Sequence, residues 1–194
     1  MENKKITAKD LINIGIFAAI YFVVLFVVAM IGFFPPFMVA LCFICPIATG
    51  IPFMLYMTKV HTFGQLTIFG VVMGLANMLI GDQWITLAFA VICGLLADLI
   101  CLSGKYRSGS RAILGYAVFS IWTFGKMLPL FIMRDSYFQA MGQGYGQEYA
   151  EAVLKLTPNW VFPIILVSGF IGGLIGAFIG RAVLKKHFER AGIA

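Results

Sequence analysis

The sequence predicts an all-α integral membrane protein, a six-transmembrane-helix bundle with both termini cytoplasmic, and three observations carry that expectation. The 194 residues are 61% hydrophobic and 11% charged, so the charged side chains are too few to cover a water-facing surface. Apolar runs long enough to cross a bilayer recur along the whole chain. All the basic residues but Lys126 fall outside those runs, most of them on one side of the pattern they imply.

The runs cover about residues 11–31, 37–56, 62–80, 85–102, 112–132 and 159–180, within a single transmembrane domain over residues 1–194. The opening segment MENKKITAKDLINIG leads into a stretch of spanning length with no small-residue cleavage site after it, so a first membrane helix is expected rather than a cleaved leader. The links at 32–36 (GFFPP), 57–61 (MTKVH), 81–84 (GDQW) and 103–111 (SGKYRSGSR) are short, which makes successive helices antiparallel neighbours. The link at 133–158 is longer than a turn needs and is polar, so it reads either as a cap or gate over the outer face or as a disordered loop. Within it, residues 147–156 predict a short amphipathic helix and Gly142 to Gly146 a loop.

Orientation follows from the charges. With the N-terminus cytoplasmic, that side receives Lys4, Lys5, Lys9, Lys59, Lys105, Arg107, Arg111, Arg181, Lys185, Lys186 and Arg190. The outer side receives Arg134 and Lys155, and Lys126 stays inside a span. This asymmetry turns the net charge of +6 into a topology signal for a multi-pass protein of the cell (cytoplasmic) membrane, and argues against nucleic acid as a partner.

Several motifs have a bland reading. Cys42 and Cys45 form a CxxC, but it lies in an apolar run without a second ligand pair, so buried free thiols are expected and no metal. Pro46 and Pro52 either kink or locally unwind the second span or are simply packed within it. Gly172, Gly176 and Gly180 recur every four residues in the last span, beside Gly173 and Ala177, as small residues do where helix backbones approach closely.

Lys126 is the residue that asks for an explanation. At about 1.5 Å per residue it lies roughly 22 Å above Arg111 and about 9 Å below the outer end of its span. A charge at that depth costs on the order of 2.5–3.5 kcal/mol on insertion scales, which snorkelling, an acidic partner or a bound anion would offset. Other polar and aromatic residues collect at its level: Asn77, then Asp82, Gln83 and Trp84 in the next link, then Arg134 and Tyr137, and Asn159 with Trp160. Trp122, four residues before Lys126, is expected on the same helix face. Together these residues predict an outward-opening pocket in which an aromatic ring stacks on a planar solute while Lys126 or Arg134 neutralises an acidic group. Trp84, Trp160 and Tyr137 fit a membrane-interface belt equally well. Asp98, near the inner end of its span, has three readings: bonds to nearby backbone, pairing with Lys105 or Arg111, or contact with a cytoplasmic partner.

Catalytic patterns are missing from the sequence. It contains no HExxH, no P-loop, and no intramembrane serine with a histidine at its depth, so an enzyme is not expected, and uphill transport by ATP would need the nucleotide site on another chain.

Six spans, cytoplasmic termini, the small residues Gly15 and Ala19 in NIGIFAAIY, and the GLLAD element Gly94 to Asp98 resemble the substrate-binding S component of an energy-coupling factor (ECF) transporter, in the MptD or Trep_Strep group. The likeness covers almost the whole chain. It implies a subunit without cofactors that binds a vitamin-like micronutrient from outside, docks on an ECF T-type transmembrane subunit served by a pair of ABC ATPases, and topples in the bilayer to deliver its load. It further implies that Gly15 and Ala19, with Ala18 adjacent, meet the T subunit; Gly15 stands where the family motif has alanine. The links Gly32 to Pro36 and Gly81 to Trp84 would cover the pocket. No ligand motif of the vitamin-specific members matches, so the expected solute is defined only as anionic or zwitterionic and partly aromatic. A self-contained secondary transporter or channel is the alternative, and a non-catalytic membrane scaffold the third reading; the chain shows no clear inverted repeat and little intramembrane acid for ion coupling.

Overall fold

The computed structural model describes residues 5–187, and every regular element among them is helical. Lys4 and Arg190 of the basic set lie outside the described residues. Five stretches are long and apolar enough to cross a membrane: Ala8–Phe33, Pro35–Met57, Trp84–Ser103, Gly109–Ile132 and Val161–Lys186. The first is helix α1 (Ala8–Ala29) with the 3-10 turn Met30–Phe33, and the second is α2 (Pro35–Met57). Helix α4 (Trp84–Ser103) is the third. The fourth is made of α5 (Gly109–Ser120), the 3-10 turn Ile121–Thr123, α6 (Phe124–Met127) and α7 (Pro129–Ile132); α10 (Val161–His187) is the last.

The run expected at 62–80 becomes a shorter helix, α3 (Gln65–Leu79). Its 15 residues rise about 22 Å, against a hydrocarbon core of about 30 Å. Local chemistry sets both ends. The Gln65 side-chain oxygen accepts from the backbone N–H groups of His61 and Thr62 at 2.8 and 3.1 Å, which holds the preceding turn. At the other end Gly81 adopts φ 107°, a left-handed value that reverses the chain.

The start of α1 is fixed by a capping box, in which Thr7 Oγ1 accepts from the Asp10 N–H and the Asp10 carboxylate accepts from the Thr7 N–H. Asp10 also lies 3.6 Å from His61. At the same end of the bundle, Met57, Arg107, Arg181 and Leu184 border one recess, which brings the end of α2, the link after α4 and the last turns of α10 together.

Rings fill the middle of the bundle. Tyr21, Phe53, Tyr56, Phe69, Tyr116, Phe119 and Trp122 are buried and packed on one another, with Phe53 stacked on Phe119 at 4.9 Å and edge-on to Phe69 at 5.6 Å. Pro46 and Pro52 sit inside an unbroken α2, so the chain is not unwound there, and the Tyr116 hydroxyl donates to the Pro46 carbonyl at 2.6 Å. The glycine line of α10 lies against this helix: a Cβ on Gly176 would overlap the Pro46 carbonyl oxygen, and one on Gly50 would overlap Gly176. The four cysteines are buried and free.

The link after the fourth stretch is folded. It consists of α8 (Arg134–Tyr145) and α9 (Gln147–Leu156), so the loop expected from Gly142 to Gly146 is instead helical as far as Tyr145, with the break at Gly146 (φ 94°). Helix α9 matches its expected bounds. Met141, Ala150 and Val153 insert among Cys42, Phe124, Met127, Leu130, Val161 and Ile165, so the two helices form an apolar-backed cover at the end of the bundle opposite the N-terminus.

Candidate functional site

Beneath that cover is a cavity of about 460 Å³. Its walls are the last turns of α1 (Phe22, Leu25, Phe26), the following link (Gly32, Phe33), Asn77 and Ile80 at the end of α3, Asp82, Lys126, and Tyr137, Tyr145 and Tyr149 from α8 and α9. The Tyr149 hydroxyl donates to the Gly32 carbonyl, fastening the cover to the first link. Arg134 anchors the cover from the other side, donating to the Thr157 carbonyl at 2.7 Å with its guanidinium 5.3 Å from the Phe138 ring centre.

The polar core of the cavity is an ion pair: Lys126 Nζ lies 2.8 Å from Asp82 Oδ2, with each side chain about a quarter exposed (24% and 25%). Backbone geometry brings the two together. The Asp82 N–H donates to the Asn77 carbonyl at 3.1 Å, which places the carboxylate just beyond the Gly81 reversal. On the facing stretch, a Cβ at Gly125 would come within 2.9 Å of Phe89 and 3.2 Å of the Thr86 backbone, so glycine there lets α6 close on α4 beside Asp82. Among the described residues Nζ is the one partner of Oδ2. Asn77 is 1% exposed; its amide nitrogen donates to the Met73 carbonyl at 2.7 Å, while its Oδ1 has no donor among the described residues. Tyr137, in α8 and outside the spans, is pushed up to about 12 by burial and then by the Asp82 charge, so its phenol stays neutral.

The structure thus gathers Lys126, Asn77, Asp82 and Tyr137 of the expected site, and Gln83 borders an adjoining recess of about 420 Å³ on the other side of the ion pair. It separates the others. Trp122 is fully buried in the ring cluster and donates to the Tyr21 hydroxyl at 3.3 Å, and the 3-10 turn Ile121–Thr123 widens its angle from Lys126 beyond that of a regular helix. Trp84 and Trp160 are 69% and 68% exposed at the starts of their helices and do not line the cavity, as suits belt residues; Asn159 is also exposed outside it. Arg134 is taken up by the cover. The lining rings Phe22, Phe26, Phe33, Tyr145 and Tyr149 are not among the expected residues, since the sequence gives no signal of which way an aromatic in a span or in the cover faces.

The partner-contact expectations divide in the same way. Gly15 and Ala19 are exposed on α1, and a Cβ at Gly15 would meet nothing within 4 Å. Ala18, about 60° around the helix from Gly15, is buried against the bundle and leaves that set. Asp98 is fully buried and also leaves it. Its Oδ2 accepts from the Gly64 N–H (3.1 Å), the Thr67 N–H (2.7 Å) and the Thr67 hydroxyl (2.7 Å), and its Oδ1 accepts from the Tyr106 hydroxyl (3.1 Å). It pairs with neither Lys105 nor Arg111. Instead it ties together two links, one of which holds Lys105 and Tyr106 in left-handed backbone (φ 51° and 56°).

These features define a multi-pass, all-helical integral membrane protein with a covered, mostly apolar cavity at one end and one ion pair in its wall. Over residues 8–190 the chain matches the family described as hypothetical bacterial integral membrane protein (Trep_Strep), and it belongs to that family. No curated protein and no solved structure matches it significantly.

Proposed function

We propose that the protein is the solute-binding subunit of an ATP-driven importer of the energy-coupling factor type, capturing a vitamin-like or related micronutrient, anionic or zwitterionic and partly aromatic. The observation that carries this reading is the covered cavity with the Lys126–Asp82 pair in an otherwise aromatic and aliphatic wall. A structural bundle has no need of a hollow of this size, and a charge pair set in apolar surroundings orients a ligand. In this reading α3 is a sixth, shorter crossing, the chain ends are cytoplasmic in the cell membrane, and the cavity opens outward, in keeping with the basic residues. The exposed Gly15 and Ala19 face of α1 receives the T-type subunit. A pair of ABC ATPases supplies hydrolysis, for which the chain itself has no P-loop.

The test is purification of the tagged chain from its native membrane in mild detergent, with the retained proteins identified by mass spectrometry. Recovery of one polytopic partner with two ABC ATPases, lost on Gly15→Leu, is the expected result. A folded chain that carries no such partners and transports alone in vesicles would favour the self-contained carrier.

A further inference from the structure

The cavity's unpaired polar atoms indicate the charge pattern of the solute, given the reading that the cavity is a solute site. Asn77 is almost completely buried, and its amide nitrogen is committed to Met73, which leaves Oδ1 as a buried acceptor without a donor. Asp82 Oδ2 is a second buried acceptor, and the Lys126 ammonium at 2.8 Å is its one partner among the described residues. The two residues are joined through the Asp82 N–H to Asn77 carbonyl bond, so both acceptors belong to one small patch. Buried acceptors in a native wall call for a donor, and here two of them stand beside a single cation.

We propose that the cavity takes a small aromatic zwitterion, an amino-acid-like solute whose ammonium binds Asp82 and the Asn77 amide oxygen while its carboxylate binds Lys126. The Lys126–Asp82 pair offers an oppositely charged partner to each end of that solute. A solute with one charge engages one partner and strands the other against apolar wall, whereas a zwitterion replaces both halves of the pair at once. An ammonium has several N–H groups and satisfies two acceptors together. Phe22, Phe26, Phe33, Tyr145 and Tyr149 supply ring faces for the body of the solute. The recess of about 420 Å³ beyond the pair, also bordered by Asp82 and Lys126, gives the separating side chains room.

The test uses three probes that share one ring system: tryptophan, tryptamine and indole-3-propionate, titrated calorimetrically into the detergent-purified full chain at neutral pH. Tryptophan is expected to bind saturably and at least about tenfold more tightly than either singly charged probe. Lys126→Met should weaken tryptophan by about tenfold or more while sparing tryptamine, and Asp82→Asn should weaken tryptophan while sparing indole-3-propionate; a thermal unfolding curve for each variant confirms that it is folded. The zwitterion assignment is overturned if a singly charged probe binds as well as tryptophan, or if none of the three binds. In either case recovery of the ATPase partners would leave the carrier reading standing. Selective tryptophan binding without those partners would uphold this inference and remove the importer.

Discussion

Lys126 Nζ stands 2.8 Å from Asp82 Oδ2, so the fourth spanning stretch is tied to the turn after α3 through a charge pair rather than through packing. Each side chain keeps about a quarter of its exposure (24% and 25%), which limits the pair's part in stability to about 1 kcal/mol or less. Lys126→Met and Asp82→Asn should therefore lower the unfolding temperature by no more than about 2–4 °C while removing solute retention. Thermal unfolding in detergent, run beside a binding titration, separates the two effects.

Gly176 and Gly15 are both glycines of membrane helices with opposite surroundings. A Cβ on Gly176 would run into the α2 backbone, which cannot rotate away, so Gly176→Ala should destabilise the bundle by about 1–3 kcal/mol. Gly15→Ala, with nothing within 4 Å, should leave the unfolding temperature unchanged. Equal loss from both substitutions would mean that α1 and α10 are packed alike.

Asp98 accepts four hydrogen bonds, from the Gly64 and Thr67 N–H groups and from the Thr67 and Tyr106 hydroxyls, and a side chain without acceptors leaves all four donors without it. Asp98→Leu should cost about 2 kcal/mol or more, and Lys105→Gln close to nothing. A large effect at Lys105 would restore the charge pairing that the geometry denies.

Trp122→Phe removes a buried indole and its bond to Tyr21, and should destabilise the protein by about 1–3 kcal/mol without altering ligand selectivity. A change in selectivity would return Trp122 to the cavity wall.

The long apolar helices were legible in the sequence because a bilayer demands a continuous run of fixed minimum length, and composition alone reports it. Depth along a span was legible for the same reason, which is why Lys126, Asn77, Asp82 and Tyr137 were placed at one level. Direction around a helix was not. Trp122 and Lys126 are four apart, about 40° in a regular helix, and the two 3-10 steps after Trp122 widen this by about 40°, with Trp122 set in the ring cluster and Lys126 at the cavity. The 62–80 run looked long enough because hydropathy does not register the Gln65-held turn or the Gly81 reversal that shorten it. The glycines of the cover predict a partial loop, yet Gly142 and Gly144 are helical because Met141 is anchored in the apolar cluster and tertiary packing outweighs propensity.

The most direct measurement is native mass spectrometry of the chain and of its Lys126→Met variant, each released from detergent after purification from the native membrane. A single small solute retained one-to-one by the natural chain and missing from the folded variant is the result this account predicts. Identical spectra for the two, carrying lipid adducts alone, would contradict it.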